Sequence, residues 1–193
     1  MLTQDARREL LMLARDAILR SLRGRLLPLR AFRSPELNRP GGMFVTLRLG
    51  GDLRGCIGYI RSDEPLGRVV QEIAPKAAFE DLRFPPVTAE EVEKLKLDIS
   101  ILSPMEAVAD PVAVKPGLHG LMVEKGGCRG LLLPQVAVEY GWTREEFLNH
   151  TARKAGLPPE AWRDPNAVVY TFTAEIIREE ELRSGDAEGA KTG

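Results

Sequence analysis

The residue in this sequence best equipped for chemistry is Cys56, in the run Leu53-Arg54-Gly55-Cys56-Ile57-Gly58. In an extended chain side chains alternate, so Arg54, Cys56 and Gly58 point the same way. A permanent positive charge then lies on one side of the sulfur and, at Gly58, a space on the other that could take a substrate atom or let Phe44 opposite lean across. A nearby cation favours thiolate over thiol, and thiolate is the form that attacks carbon or binds metal. The plain alternative is a small buried thiol, with Arg54 as a structural ion-pair partner. Four further residues could join such a site. Asp81 and Arg83, in Asp81-Leu82-Arg83-Phe84-Pro85-Pro86, form either a local salt bridge or one wall of a cleft beside Cys56. His119 could serve as a base, and Gln135 could orient it or a substrate.

The element that must position Cys56 is a hairpin. Met43 to Leu49 is strand-like, and Gly50-Gly51-Asp52 gives a three-residue loop signal. With that loop Leu49 faces Leu53, Leu47 faces Gly55 and Val45 faces Ile57. One side of the ribbon is then apolar, and Thr46, Arg48, Arg54 and Cys56 occupy the other. A two-residue loop would put Arg54 against Leu47 and Cys56 against Val45, so the longer loop is the expectation.

Bulk properties limit the function classes. The chain has 193 residues, 44% of them hydrophobic and 28% charged, enough for one sizeable core or two small lobes. A net charge of -1 argues against nucleic acid as a main partner, although Arg20, Arg23, Arg25, Arg30, Arg33 and Arg39 could form a local patch. The first residues are amphipathic and charged, and no run approaches the ~20 apolar residues of a membrane span. The expected location is the cytoplasm. With Cys56 and Cys128 as the two cysteines, and no CxxC or HExxH motif, neither a disulfide scaffold nor a structural metal site is expected.

Along the chain, Thr3 caps a first helix with Leu10, Ala14, Ala17 and Ile18 at helical spacing, stopped by Gly24. Leu26 to Pro40 reads as a loop. After the hairpin, Ser62 or Asp63 caps a helix with Pro65 at its first position and a break or kink at Pro75, beyond which Lys76 to Asp81 could continue it. Thr88 and Glu91 fit a capping box, and Leu95 to Ile101 alternates as a strand. Met105 to Pro116 reads as a linker. A second glycine hairpin, Leu118 to Lys125 and Cys128 to Leu133, follows it. Helices begin at Pro134 and, through a Thr143/Glu146 box, at Arg144, while Val168 to Ile176 alternates as a last strand. Residues 184–193 read as a frayed tail. Helices scattered among antiparallel hairpins predict an α+β fold.

Leu53-Arg-Gly-Cys-Ile-Gly58, Asp81-Leu-Arg-Phe-Pro-Pro86, Gly117-Leu-His-Gly120, Leu132-Leu-Pro-Gln-Val-Ala137 and Lys154-Ala-Gly-Leu157 together resemble the AMMECR domain family, the A proteins of AmmeMemoRadiSam systems. The resemblance runs from about Ala14 to Glu180. It implies an α+β domain over residues 1–183 with two lobes, a larger one holding both chain ends around an antiparallel sheet and a smaller one from the middle. It also implies an association with a Memo-family protein and a radical SAM protein, but no established reaction and no known cofactor. Similar proteins often carry cysteine where this chain has Ala152, which leaves Cys56 as the candidate thiol. The expected function is a cleft around Cys56 for an anionic small molecule or nucleotide. Cys56, His119 and Asp81 would be its catalytic residues, and Arg54, Gly55, Gly58, Arg83 and Gln135 its ligand-binding ones. The alternative is a non-catalytic binding or assembly module for the two partners.

Overall fold

Two glycines in the left-handed region turn the chain at the first hairpin, Gly50 at φ 62° and Gly51 at φ 98°. In the computed structural model, which describes residues 1–25 and 31–182, these two residues are the whole loop, and Leu49 pairs with Asp52. The three-residue loop predicted from sequence is therefore corrected. A turn with positive φ at both positions twists in the same sense as the strands it joins, which favours it over longer loops. The pairing further along nevertheless has Val45 against Ile57 and Leu47 against Gly55, because the register shifts between Leu47 and Arg48. Arg54 is the extra residue of a β-bulge, and the bulge restores the apolar face that the shorter loop would have inverted.

In chain order the elements are α1 (Gln4–Leu22), β1 (Met43–Leu49), β2 (Asp52–Tyr59), α2 (Leu66–Phe79), α3 (Ala89–Val92), β3 (Lys96–Leu102), β4 (Glu106–Ala107), β5 (Gly120–Lys125), β6 (Cys128–Leu132), α4 (Pro134–Glu139), α5 (Arg144–Lys154), β7 (Val168–Phe172) and β8 (Ala174–Arg178). They make an α+β fold of two units, Met1–Ile101 with the chain from Glu175 on, and Leu102–Ala174. The predicted tail 184–193 and Arg30 of the arginine cluster lie outside the described residues. Arg23, Arg25, Arg33 and Arg39 are exposed, and Arg20 pairs with Asp16 at 2.7 Å, so these side chains form a solvated surface. No helix among the described residues is long and apolar enough to cross a membrane.

The first unit's sheet has the order β2-β1-β3-β8. On one face Met43, Val45 and Leu47 of β1 stand beside Leu97, Ile99 and Ile101 of β3, all buried with Leu10 and Ile18 of α1 and Val70 and Ile73 of α2. Removing this area from water stabilises each such side chain by about 1.5–3 kcal/mol. Thr3 caps α1 by accepting from the Ala6 N–H, and Gly24 (φ 61°) ends it as the Arg25 N–H bonds the Arg20 carbonyl. Helix α2 departs from expectation at its start. Pro65 is its cap position with no side-chain capping bond, while Ser62 Oγ instead accepts from Glu64 N–H. Past Pro75 the helix continues to Phe79, so of a break and a continuation it is the continuation that is seen.

The second unit repeats the order of hairpin, helices and third strand, in a sheet β4-β7-β5-β6. Its turn, Gly126-Gly127, is again two residues with positive φ, joining Lys125 to Cys128. Val114, Leu121, Val123, Phe147, Leu148, Ala152 and Val169 form its core. Ala152 is fully buried, so a cysteine there would be a small packed apolar group. The expected linker Met105 to Pro116 contains a strand after all, because β4 completes the sheet by pairing with β7.

Candidate functional site

Strand β2 lies at the edge of its sheet, and an edge strand leaves backbone groups without a ladder partner. At Cys56 side chains fill that role. Asp81 Oδ2 accepts from Cys56 N–H at 2.8 Å, and Arg83 Nη2 donates to the Cys56 carbonyl at 3.2 Å. The carboxylate and the guanidinium are tied to each other by Nε to Oδ1 at 2.9 Å and Nη2 to Oδ2 at 2.6 Å, with Arg83 N–H adding a bond of 3.2 Å to Oδ1. The pair offers the strand an acceptor and a donor, as a neighbouring strand would. Asp81 is 7% exposed, and Arg83 holds its carboxyl at about 2, well below the usual carboxylate range, despite the opposing cost of burial.

Arg54 fills a different place from the one expected. Its Nε and Nη2 bond Glu91 at 2.9 and 3.0 Å, and Nη1 donates to the Pro85 carbonyl at 2.8 Å. Displaced by the bulge, it staples the far end of the Asp81–Glu91 segment to β2 while Arg83 staples the near end. Glu91 is in turn held at about 2, chiefly by Arg54, and closes the capping box with Thr88. The cation beside Cys56 is thus Arg83. It is raised mainly by its bonds to Asp81, and the Cys56 charge contributes. Its Nη1 nitrogen has no protein partner among the described residues, and its side chain is 53% exposed.

Cys56 as a residue is half-buried, on the polar side of the hairpin. Thr46, directly opposite on β1 and 7% exposed, donates its hydroxyl to Cys56 Sγ at 3.3 Å. Asp98 on β3 faces Thr46 from the other side, so cysteine, threonine and aspartate form one row across three strands. Burial pushes the Asp98 carboxyl up, against the pull of Arg48 at 3.3 Å. Of the two uses expected for the space at Gly58, the second is seen: the Phe44 ring leans across it, and a Cβ there would lie 2.5 Å from that ring. Gly55 is needed for packing, since a Cβ on it would lie 2.1 Å from the Ala77 carbonyl oxygen of α2.

His119 and Gln135 belong to the second unit. His119 Nδ1 accepts from the Lys115 N–H at 3.3 Å, closing the turn before β5, and half-buried Gln135 sits in the first turn of α4. In the first unit the hairpin tip, Thr88, Glu90, Lys94 and Lys96 line an open groove of about 580 Å³, which Cys56 does not line. The site residues that sequence reasoning did not single out are Thr46 and Asp98. Thr46 was visible as the cross-strand neighbour of Cys56, whereas Asp98 enters only through the pairing of β1 with β3.

The sequence model of the AMMECR1 family matches residues 11–177. A protein of Methanothermobacter thermautotrophicus is 44% identical over 190 residues, covering 93% of this chain and 97% of the relative. One from Aquifex aeolicus is 40% identical, covering 90% and 93%. The crystal structure of an uncharacterized protein from Pyrococcus horikoshii superposes with a TM-score of 0.83 at 44% identity, over 86% of this chain and 88% of that one.

Proposed function

We propose that this chain, which belongs to the AMMECR1 family, uses Cys56 as a reactive thiol against a small ligand whose oxygen carries or develops negative charge, with Arg83 supplying the opposing charge. The observation that carries this reading is the Arg83 guanidinium. Asp81 fixes it beside Cys56, its Nη2 donates to the Cys56 carbonyl at 3.2 Å, and its side chain is 53% exposed. Asp81 then positions the arginine rather than acting as an acid or base, because a carboxylate held near 2 keeps its charge at neutral pH. Arg54 drops out of the ligand-binding set because Glu91 and a proline carbonyl occupy it. The chain works alongside a Memo-family protein and a radical SAM protein, and the exposed corner at Arg83 and Leu82, the latter fully exposed, is where they would reach it.

Paired alkylating reagents test this. Iodoacetate and iodoacetamide differ in charge and little else in size, so a cation at the sulfur shows as a preference for the anion. About 1 kcal/mol of attraction across a few ångströms of wet surface corresponds to roughly a fivefold rate ratio. Wild-type Cys56 is expected to show that preference and Arg83→Gln to lose it. A docked Memo-like or radical SAM partner is expected to slow both reagents. Equal rates for the two reagents in wild type would remove Arg83 from the site. The binding-module alternative predicts that Cys56→Ser leaves partner association intact.

A further inference from the structure

We infer that strand β6 is a docking edge for an extended acidic peptide of a partner protein, which adds to the second unit's sheet as a further strand. The site lies in the other unit from Cys56 and stands independently of the thiol reading. The two-residue turn sets which backbone groups are free. Lys125 and Cys128 flank it as a hydrogen-bonded pair, so Gly130 and Leu132 also bond β5, while the N–H and C=O of Arg129 and Leu131 point away from the ladder. Cys56 holds the same kind of position on β2, opposite Thr46, and there Asp81 and Arg83 take up both groups. Among the described residues nothing does so for Arg129 or Leu131. Backbone groups left unpaired by the protein face water, and two donors alternating with two acceptors along an edge match an incoming strand. The opposite edge of this sheet, β4, is only two residues long.

Charge decides the occupant. Arg129 does not guard the edge, since its guanidinium reaches back across the ladder to Glu124 at 3.0 Å. On the other face α5 lies against Gly130, where a Cβ would be 2.3 Å from the Ala155 nitrogen and 2.7 Å from the Lys154 carbonyl carbon. A strand added antiparallel puts one side chain directly opposite Gly130, on that face, at the last turn of α5. Arg153 and Lys154 of that turn are exposed and have no carboxylate partner among the described residues. An acidic residue opposite Gly130 meets these two cations, and one opposite Arg129 gives that guanidinium a second carboxylate. The residue opposite Leu131 extends the row that Leu131 forms with Met122 and Tyr170. A second copy of this chain fits the edge less well, because a two-fold axis at Gly130 would bring the Arg153 and Lys154 pairs of both copies together.

The test titrates the blocked peptide Thr-Val-Glu-Glu-Val-Thr into the isotope-labelled full-length chain and follows the backbone amides by NMR. The Arg129 and Leu131 amides are expected to shift downfield and to gain protection from hydrogen exchange, because both acquire acceptors. Replacing the two glutamates of the peptide by lysines should weaken binding about tenfold, and so should the double substitution Arg153→Glu, Lys154→Glu. Backbone pairing has its own readout. Alternate N–H groups of an added strand face its neighbour, so N-methylation of one glutamate should weaken binding about tenfold and N-methylation of the adjacent one should leave it unchanged. Unmoved Arg129 and Leu131 amides at millimolar peptide, or equal losses with the two methylated peptides, would overturn strand addition. Equal binding of the lysine peptide would overturn the acidic class of partner. Dimerisation of the free chain that protects the same two amides would overturn the peptide as occupant in favour of a second copy.

Discussion

Gly55→Ala is expected to lower the unfolding free energy by about 3 kcal/mol, at the upper end of what overpacking usually costs. The added methyl carbon would meet the Ala77 carbonyl at 2.1 Å, and that contact is backbone, which cannot rotate away as a side chain would. Either α2 lifts from the sheet, uncovering the layer of Leu47, Val70 and Ile73, or β2 bends and shifts Cys56. Denaturant melts of Gly55→Ala beside Leu53→Ala, an exposed position on the same strand, measure the effect. Unchanged stability would mean that α2 does not seat on this glycine. Gly130 meets the same constraint in the second unit, where a Cβ would lie 2.3 Å from the Ala155 nitrogen.

Asp81→Asn should cost about 2 kcal/mol at pH 7, because it weakens the acceptor of four hydrogen bonds and leaves a guanidinium with a neutral partner. The cost should also depend on pH. The folded carboxyl titrates at about 2 and its ordinary value is 3.8, so the unfolded chain binds the proton more readily. The stabilisation from its charge is therefore complete above about pH 4 and is lost as pH falls through 2. Of the 2 kcal/mol, about 1–2 should vanish over that window, allowing for solvent screening through the half-exposed arginine. Stability curves of the two proteins that stay parallel from pH 7 to 2 would refute the ion pair as the cause.

Much of the fold was legible because local chemistry and tertiary structure agree. The Thr3 cap, the Gly24 stop, the Thr88 and Thr143 boxes and the alternation of Leu97, Ile99 and Ile101 all act within a few residues, so the sequence contains them. The hairpin register was half legible. Hydrophobic alternation identified the Val45–Ile57 and Leu47–Gly55 pairs, but two devices give the same pairs, a longer loop or a short loop with a bulge, and the pattern does not distinguish them. That ambiguity decided the arginine. With a regular strand Arg54 would share the sulfur's side; at a bulge it turns to Glu91, 37 positions away, and Arg83 takes the place beside Cys56. Of the two readings posed from sequence for Asp81 and Arg83, the salt bridge is present, and both residues also bond the Cys56 backbone. Asp98 could not be read at all, since its row depends on β3 pairing with β1 across some 50 residues of chain.

A Cys56 thiolate stabilised by Arg83 and Thr46, as proposed above, is tested most directly by the pH profile of its alkylation. The measurement is the rate of iodoacetamide modification at Cys56 in a Cys128→Ser background from pH 5 to 10. A half-maximal rate reached below about pH 8.5, the value of an unperturbed thiol, and moving upward in Arg83→Gln, is the predicted result. A wild-type midpoint at or above that value, unmoved by the arginine substitution, would contradict it.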